Sequence, residues 1–233
     1  MNRTWAVVGG LAVGVATMLG ILQPWKRTPR REAPAPAATS PFKTLENRLE
    51  ALSYATEARA KISNGDLEEA QELLAKAAAL DPQSLLVLLY QAQLDMANCE
   101  YEAARRSFTL VLKRQSWNSE ALAGRATALY ELKEYAGAVE DATQAMISHR
   151  ENREPLFTRA AAHEKLGHWE ECMLDWTNYI AAFPEYPPAW LNRGNAHYRR
   201  GNRAAAVADW KQAVKLDPSL SDQLNPLITE ADR

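Results

Sequence analysis

The sequence predicts an all-α chain, a solenoid of five tandem helix-turn-helix units behind one membrane-spanning helix. Three observations carry that reading. From 51 to 220 the chain divides into blocks of 34 residues with no insertion. Small residues recur at fixed places in those blocks and bulky residues at others. Ahead of them, residues 5–22 form an uncharged apolar run. Self-similarity at one fixed period is the signature of stacked units that cannot bury their apolar faces alone.

Composition excludes several function classes. The 27 basic and 29 acidic side chains leave a formal net charge of −2, so there is no general pull toward nucleic acid. Two cysteines, Cys99 and Cys172, do not make a disulfide framework in a chain of 233 residues. The 47 % hydrophobic and 24 % charged content is that of an ordinary globular chain, long enough for one large or two small domains.

Between Trp5 and Leu22 the only polar side chain is Thr17. As a helix rising about 1.5 Å per residue, this run spans roughly 27 Å, enough to cross a bilayer core. Arg3 precedes it, Lys26, Arg27, Arg30 and Arg31 follow it, and Trp5 and Trp25 mark its two edges. A cleaved signal peptide is the competing reading. Small-x-small triplets appear only at Ala33-Pro34-Ala35 and Ala35-Pro36-Ala37, late and with proline inside, which favours an uncleaved anchor over residues 1–25. The basic residues after the span place the large C-terminal part on the cytoplasmic side of a single-pass protein, with an exported domain as the alternative. Gly10-x-x-x-Gly14 offers a route to dimers, although small residues are common in membrane helices anyway. Residues 26–40 read as a linker, basic at first and then Pro/Ala-rich, extended and semi-rigid. The repeat domain follows over 41–233.

Its blocks are 51–84, 85–118, 119–152, 153–186 and 187–220, with a C-terminal cap over 221–233. Block position 8 holds Ala58, Ala92, Ala126, Ala160 and Gly194, and position 20 holds Ala70, Ala104, Ala138, Cys172 and Ala206. Two short helices cross closely only where such small residues let their backbones approach. Position 24 carries Leu74, Phe108, Trp176 and Trp210, with Ala142 the exception, to fill the space between layers. At position 15, the turn between the two helices, Gly65, Gly167 and Gly201 supply a left-handed residue, while Cys99 and Lys133 stand there in the other two blocks. Pro82, Pro184 and Pro218 close three blocks; Ser116 and Arg150 replace proline in the others, which predicts looser or differently angled junctions. Before the first block, Phe42, Leu45, Leu49 and Leu52 follow helical spacing, predicting one helix over about 41–63 whose front half shields the open end of the stack. After the last block, Leu220, Leu224, Leu227 and Ile228 predict a cap helix, short or broken at Pro226.

Together these blocks resemble tetratricopeptide repeats. The best of them reads Ala-Trp-Leu-Asn-Arg-Gly-Asn-Ala-His-Tyr over 189–198, then Gly201, Ala206, Trp210, Ala213 and Leu-Asp-Pro at 216–218. The resemblance implies a right-handed superhelical solenoid in which the first helix of each repeat lines a concave groove. It places Arg59 and Ile62, then Leu86, Leu89, Tyr90, Gln93 and Met96 in that groove. Further along come Glu120, Thr127 and Tyr130, then Phe157, Thr158 and Glu164, and finally Leu191, Asn192, Asn195 and Tyr198. Aromatic anchors among amide groups suit an extended peptide or a partner helix. The clamp by which one subclass grips the C-terminal carboxylates of Hsp70 and Hsp90 chaperones is not matched: Ala55, Arg59, Tyr90, Glu120 and Gly124 stand at its places, so those tails are not expected partners.

Arg125, Arg159 and Arg193 at position 7 recur with Asp141, Asp175 and Asp209 at position 23, predicting a ladder of ion pairs between packed helices. His149, His163, His168 and His197 show no i, i+4 pair and no cysteine partner; His163 and His168, five apart, fall on different helical faces. No phosphate loop, nucleophile elbow or convergent carboxylate pair is present, so no catalytic residue, cofactor or metal is expected. The sequence thus reads as a membrane-tethered adaptor or scaffold that binds a protein partner during assembly or transport of a membrane-associated complex. Its rivals are an exported, membrane-anchored quality-control or assembly factor and a self-associating structural protein.

Overall fold

The computed structural model describes residues 41–149 and 151–231. The chain divides into two units, Met1–Thr39 and Ser40–Arg233, and every helix below belongs to the second. Five hairpins follow one another: α1 (Pro41–Asn64) with α2 (Leu67–Leu80), α3 (Leu85–Ala97) with α4 (Tyr101–Arg114), α5 (Ser119–Glu131) with α6 (Tyr135–Ser148), α7 (Glu154–Leu166) with α8 (Trp169–Ala182), and α9 (Pro187–Arg199) with α10 (Arg203–Leu216). A 3-10 turn (Pro218–Leu220) and α11 (Ser221–Ala231) close the stack. Each second helix packs between the first helix of its own hairpin and that of the next.

Small side chains make those crossings. Every alanine at positions 8 and 20, and Cys172 among them, is fully buried. At Gly194 a Cβ would lie 2.6 Å from the Trp210 ring and 3.2 Å from the Ala206 carbonyl oxygen, so glycine stands there because tryptophan fills position 24. Trp176, Trp210, Phe108 and Leu74 are all buried to within 1 %.

All five interhelical turns share one geometry. The position-15 residue is left-handed in each: Gly65, Gly167 and Gly201 at φ 85°, 75° and 81°, and also Cys99 at 60° and Lys133 at 65°. In each, the position-16 N–H donates to the position-11 carbonyl and the position-15 N–H to that of position 12, as in Glu134 to Leu129 (2.8 Å) and Lys133 to Tyr130 (2.9 Å). This cap satisfies the last carbonyls of the first helix. Cys99 and Lys133 hold it against the steric cost of a Cβ.

The junctions without proline leave the second helix as the others do, although α7 starts differently, with Arg153 helical (φ −98°, ψ −8°) where Ser84, Asn118 and Tyr186 are extended. Gln115 (φ −135°, ψ 80°) and His149 (−140°, 90°), which precede no proline, take nearly the turn of Asp81 (−136°, 82°), which does. The packing of successive helices dictates this backbone, and proline merely suits it.

The ion-pair ladder forms. Arg159 donates through Nε and Nη2 to both oxygens of Asp175, at 2.8 and 2.6 Å, and through Nη1 to Thr143 Oγ1 at 3.1 Å. Arg125 joins Asp141 and Thr109 in the same way, and Arg193 joins Asp209 and Thr177. Each guanidinium therefore ties the second helix of its own repeat to that of the preceding one. The aspartates are buried, 2–6 % exposed. In the second repeat, Asp95 instead accepts from Gln91 (2.8 Å) and Ser107 (3.2 Å).

The two ends differ from expectation. α1 is continuous, but Leu45, Leu49 and Leu52 remain 56 %, 59 % and 47 % exposed, so these leucines do not cover the end of the stack. Ala51, Ala55 and Ala58, on another face of the helix, make the packing contact. At the other end α11 is unbroken through Pro226, because Leu224 and Ile228 are buried against Trp210 and Ala213.

The expected transmembrane helix requires correction. Among the described residues no helix is long and apolar enough to cross a membrane. The longest, α1, carries charges throughout, among them Lys43, Glu46, Arg48, Glu57 and Lys61. The apolar run over 5–22, the linker over 26–40 and Gly10-x-x-x-Gly14 lie outside the described residues. The fold is an all-α solenoid with no transmembrane helix among the described residues. The membrane anchor, the single-pass topology with a cytoplasmic face, and self-association have no support in it.

Replacing Cys99 or Lys133 with glycine should stabilise the protein by about 0.5–1 kcal/mol in urea unfolding, because the strain relieved exceeds the flexibility added to the unfolded chain. Arg159→Ala should cost about 3–5 kcal/mol by leaving Asp175 buried and unpaired, whereas the double change Arg159→Met with Asp175→Leu should cost far less.

Candidate protein-binding groove

The first helices of four successive repeats border a groove of about 650 Å³. Six of the residues expected in the groove line it: Arg59 from α1, Gln93 and Met96 from α3, Glu120 and Thr127 from α5, and Thr158 from α7. Gln93 Nε2 donates to Glu120 Oε1 at 2.6 Å across two repeats, and the Thr127 and Thr158 hydroxyls meet at 3.3 Å. The Arg59 guanidinium lies 5.6 Å over the Tyr90 ring and donates to its hydroxyl at 3.5 Å. The wall thus alternates hydrogen-bonding groups with the Met96 thioether.

The other expected residues are placed differently. Leu89 and Tyr90 are buried in the core, 5 % and 4 % exposed, and Leu86 packs against the same cluster. Tyr130 is half-buried against Tyr135, ring centroids 5.6 Å apart, and burial raises its phenol above the ordinary range. Leu191 and Tyr198 are half-buried against the cluster around Trp210. Asn192 is half-buried, and Asn195 accepts from Trp210 Nε1 at 3.0 Å. Phe157 is 36 % exposed and stands edge-on to Trp176 at 5.2 Å and Tyr179 at 5.9 Å, with Phe183 and Tyr186 continuing an exposed aromatic patch.

Residues outside the expected set complete the groove. Phe108 comes from a second helix, and it reaches the wall because Gly124 has no side chain: a Cβ there would lie 2.2–2.8 Å from the ring. The pairing of a bulky position 24 with glycine at position 6 of the next repeat was the available signal in the sequence. His149 and Asn152 come from the junction before α7 and Glu154 from the first position of α7, where its N–H donates to Asn152 Oδ1 at 3.0 Å. That turn carries no signature in the sequence.

The groove provides surface and hydrogen bonds, and the Ser119 hydroxyl on its wall donates to the Ala145 carbonyl at 3.0 Å. Cys172 is sealed in the core, and burial pushes its thiol up to about 12. Among the described residues no group of three or more His, Cys, Asp or Glu could hold a metal ion.

Residues 51–84 and 187–220 each match a tetratricopeptide repeat family model. No curated protein matches the chain. Several solved structures share its fold. One of MamA is 18 % identical, with a TM-score of 0.63 over 74 % of this chain and 94 % of that one. MamA 41-end from Desulfovibrio magneticus RS-1 is 17 % identical, with a TM-score of 0.66 over 73 % and 96 %. YrrB, described as a TPR protein with an unusual peptide-binding site, is 21 % identical, with a TM-score of 0.62 over 76 % and 92 %.

Gly124→Ala should destabilise by about 1–3 kcal/mol in urea unfolding, because the methyl displaces Phe108 from the groove wall, and adding Phe108→Leu should recover part of the loss. With two repeats matched to a tetratricopeptide repeat model and the stack sharing the fold of these structures, the described chain is a solenoid of tetratricopeptide-like helix pairs.

Proposed function

We propose that this protein is an interaction module that holds a partner's peptide segment or helix in the groove between its first helices. The observation that supports this best is the groove itself, about 650 Å³ and bordered by four repeats with amide, hydroxyl, thioether and guanidinium groups in alternation. A volume of that size takes a few residues of an extended chain or one face of a helix. Arg59, Gln93, Met96, Thr127 and Thr158 are the contacts, and Phe157 extends the surface toward the aromatic patch. The groove needs no large rearrangement to receive a ligand, because stacked repeats hold its walls on helices. YrrB, of like fold, is described by its peptide-binding site, which agrees with this use of the architecture.

Peptides selected by display against the full chain should bind in fluorescence polarisation, and Gln93→Ala and Met96→Ala should each weaken binding about tenfold, roughly 1.4 kcal/mol, with the helical circular dichroism unchanged. Substituting exposed Leu174 on α8, which does not line the groove, should leave affinity as it was. Equal affinity of the groove variants and the parent would place the binding surface elsewhere.

A further inference from the structure

The interhelical turn brings together two side chains that helical periodicity separates. In each repeat the position-16 N–H donates to the position-11 carbonyl, from Asp66 to Lys61 at 2.9 Å in the first and from His168 to His163 at 2.9 Å in the fourth. The chain folds back on itself at this clamp, so positions 11 and 16 stand side by side. In the first repeat they form an ion pair, Lys61 Nζ to Asp66 at 3.5 Å. In the fourth they are two imidazoles, with His163 Nδ1 and His168 Nδ1 3.4 Å apart, ring centroids 5.6 Å apart and planes inclined at 46°.

We propose that His163 and His168 form a two-imidazole chelate for a single divalent transition ion of the nitrogen-preferring kind, Zn²⁺, Ni²⁺ or Cu²⁺, at the rim of the fourth repeat. Two zinc–nitrogen bonds of about 2.0–2.1 Å at a tetrahedral angle hold their nitrogens roughly 3.4 Å apart. The unloaded pair already has that separation. Gly167, left-handed at φ 75°, fixes the fold-back that creates it. Without metal, one Nδ1–H donates to the other Nδ1 in a hydrogen bond; on loading, the donor ring shifts that proton to its own Nε2, so both rings stay neutral and both Nδ1 lone pairs face the ion.

The surroundings leave the pair open to an ion. His168 is exposed, so the ion enters from solvent. The nearby Arg159 cation is neutralised by its bidentate bond to Asp175. No third His, Cys, Asp or Glu among the described residues completes a larger ligand set, so water fills the remaining positions and the ion exchanges readily. The bound ion ties the end of α7 to the start of α8 and binds only the folded chain, so it raises stability by mass action.

The test is calorimetric titration of the tag-free full chain with zinc chloride at pH 7.5, repeated with nickel and copper. One saturable site is expected, together with a rise in Tm. His163→Gln and His168→Gln should each lower affinity at least about tenfold and abolish the rise, while His149→Gln should do neither. Absence of saturable binding, or equal binding by the double variant, would overturn the site. A readout without substitution guards against misfolded variants: substoichiometric Cu²⁺ should broaden the imidazole resonances of His163 and His168 before those of His149 and His197. Broadening that begins elsewhere would refute the assignment.

Discussion

The close crossing of the two helices in each hairpin is the constraint on which the rest depends. Alanine, cysteine or glycine at positions 8 and 20 brings the backbones into contact, and the buried Leu74, Phe108, Trp176 and Trp210 then fill the space beside the crossing. Any larger residue at the crossing would spread the hairpin and shift the next one, since each second helix is shared between two first helices. The groove inherits its spacing from these crossings. Gln93 reaches Glu120, and Thr127 reaches Thr158, only because neighbouring first helices are held at one repeat's separation.

Two polar devices hold the register that apolar packing leaves open. The left-handed turn ends each first helix at the same position and satisfies its last carbonyls, even where Cys99 or Lys133 must bear the strain. The Arg–Asp–Thr bridges then join consecutive second helices from the second repeat to the fifth. A buried ion pair contributes little net stability compared with an apolar replacement. Its directional, bidentate geometry instead penalises a slipped neighbour, and that penalty keeps the groove wall in line.

Much of this was legible in the sequence. The 34-residue period, the small residues at the crossings and the glycine turns are local requirements of steric packing, and each leaves its mark at a fixed position. The recurrence of Arg125, Arg159 and Arg193 with Asp141, Asp175 and Asp209 was legible for the same reason. The candidate site was only partly so. Period alone cannot separate a first-helix side chain that faces the groove, such as Gln93, from one that turns into the neighbouring repeat, such as Leu89 or Tyr90. That choice depends on the angle between adjacent helices, which a one-dimensional pattern does not contain.

The sequence by itself determined the repeat unit, its register and the chemistry of its turns, because these rest on contacts within one hairpin or between adjacent ones. Tertiary structure decided which side chains share a surface. It drew Phe108 into the groove past Gly124, sent Leu89 and Tyr90 into the core, and left the leucines of α1 uncovered. It also set His163 against His168, which helical spacing alone assigns to different faces. The physical reason is common to all of these: a side chain's direction is set by the backbone turn or helix angle around it, and those angles exist only once the hairpins have stacked.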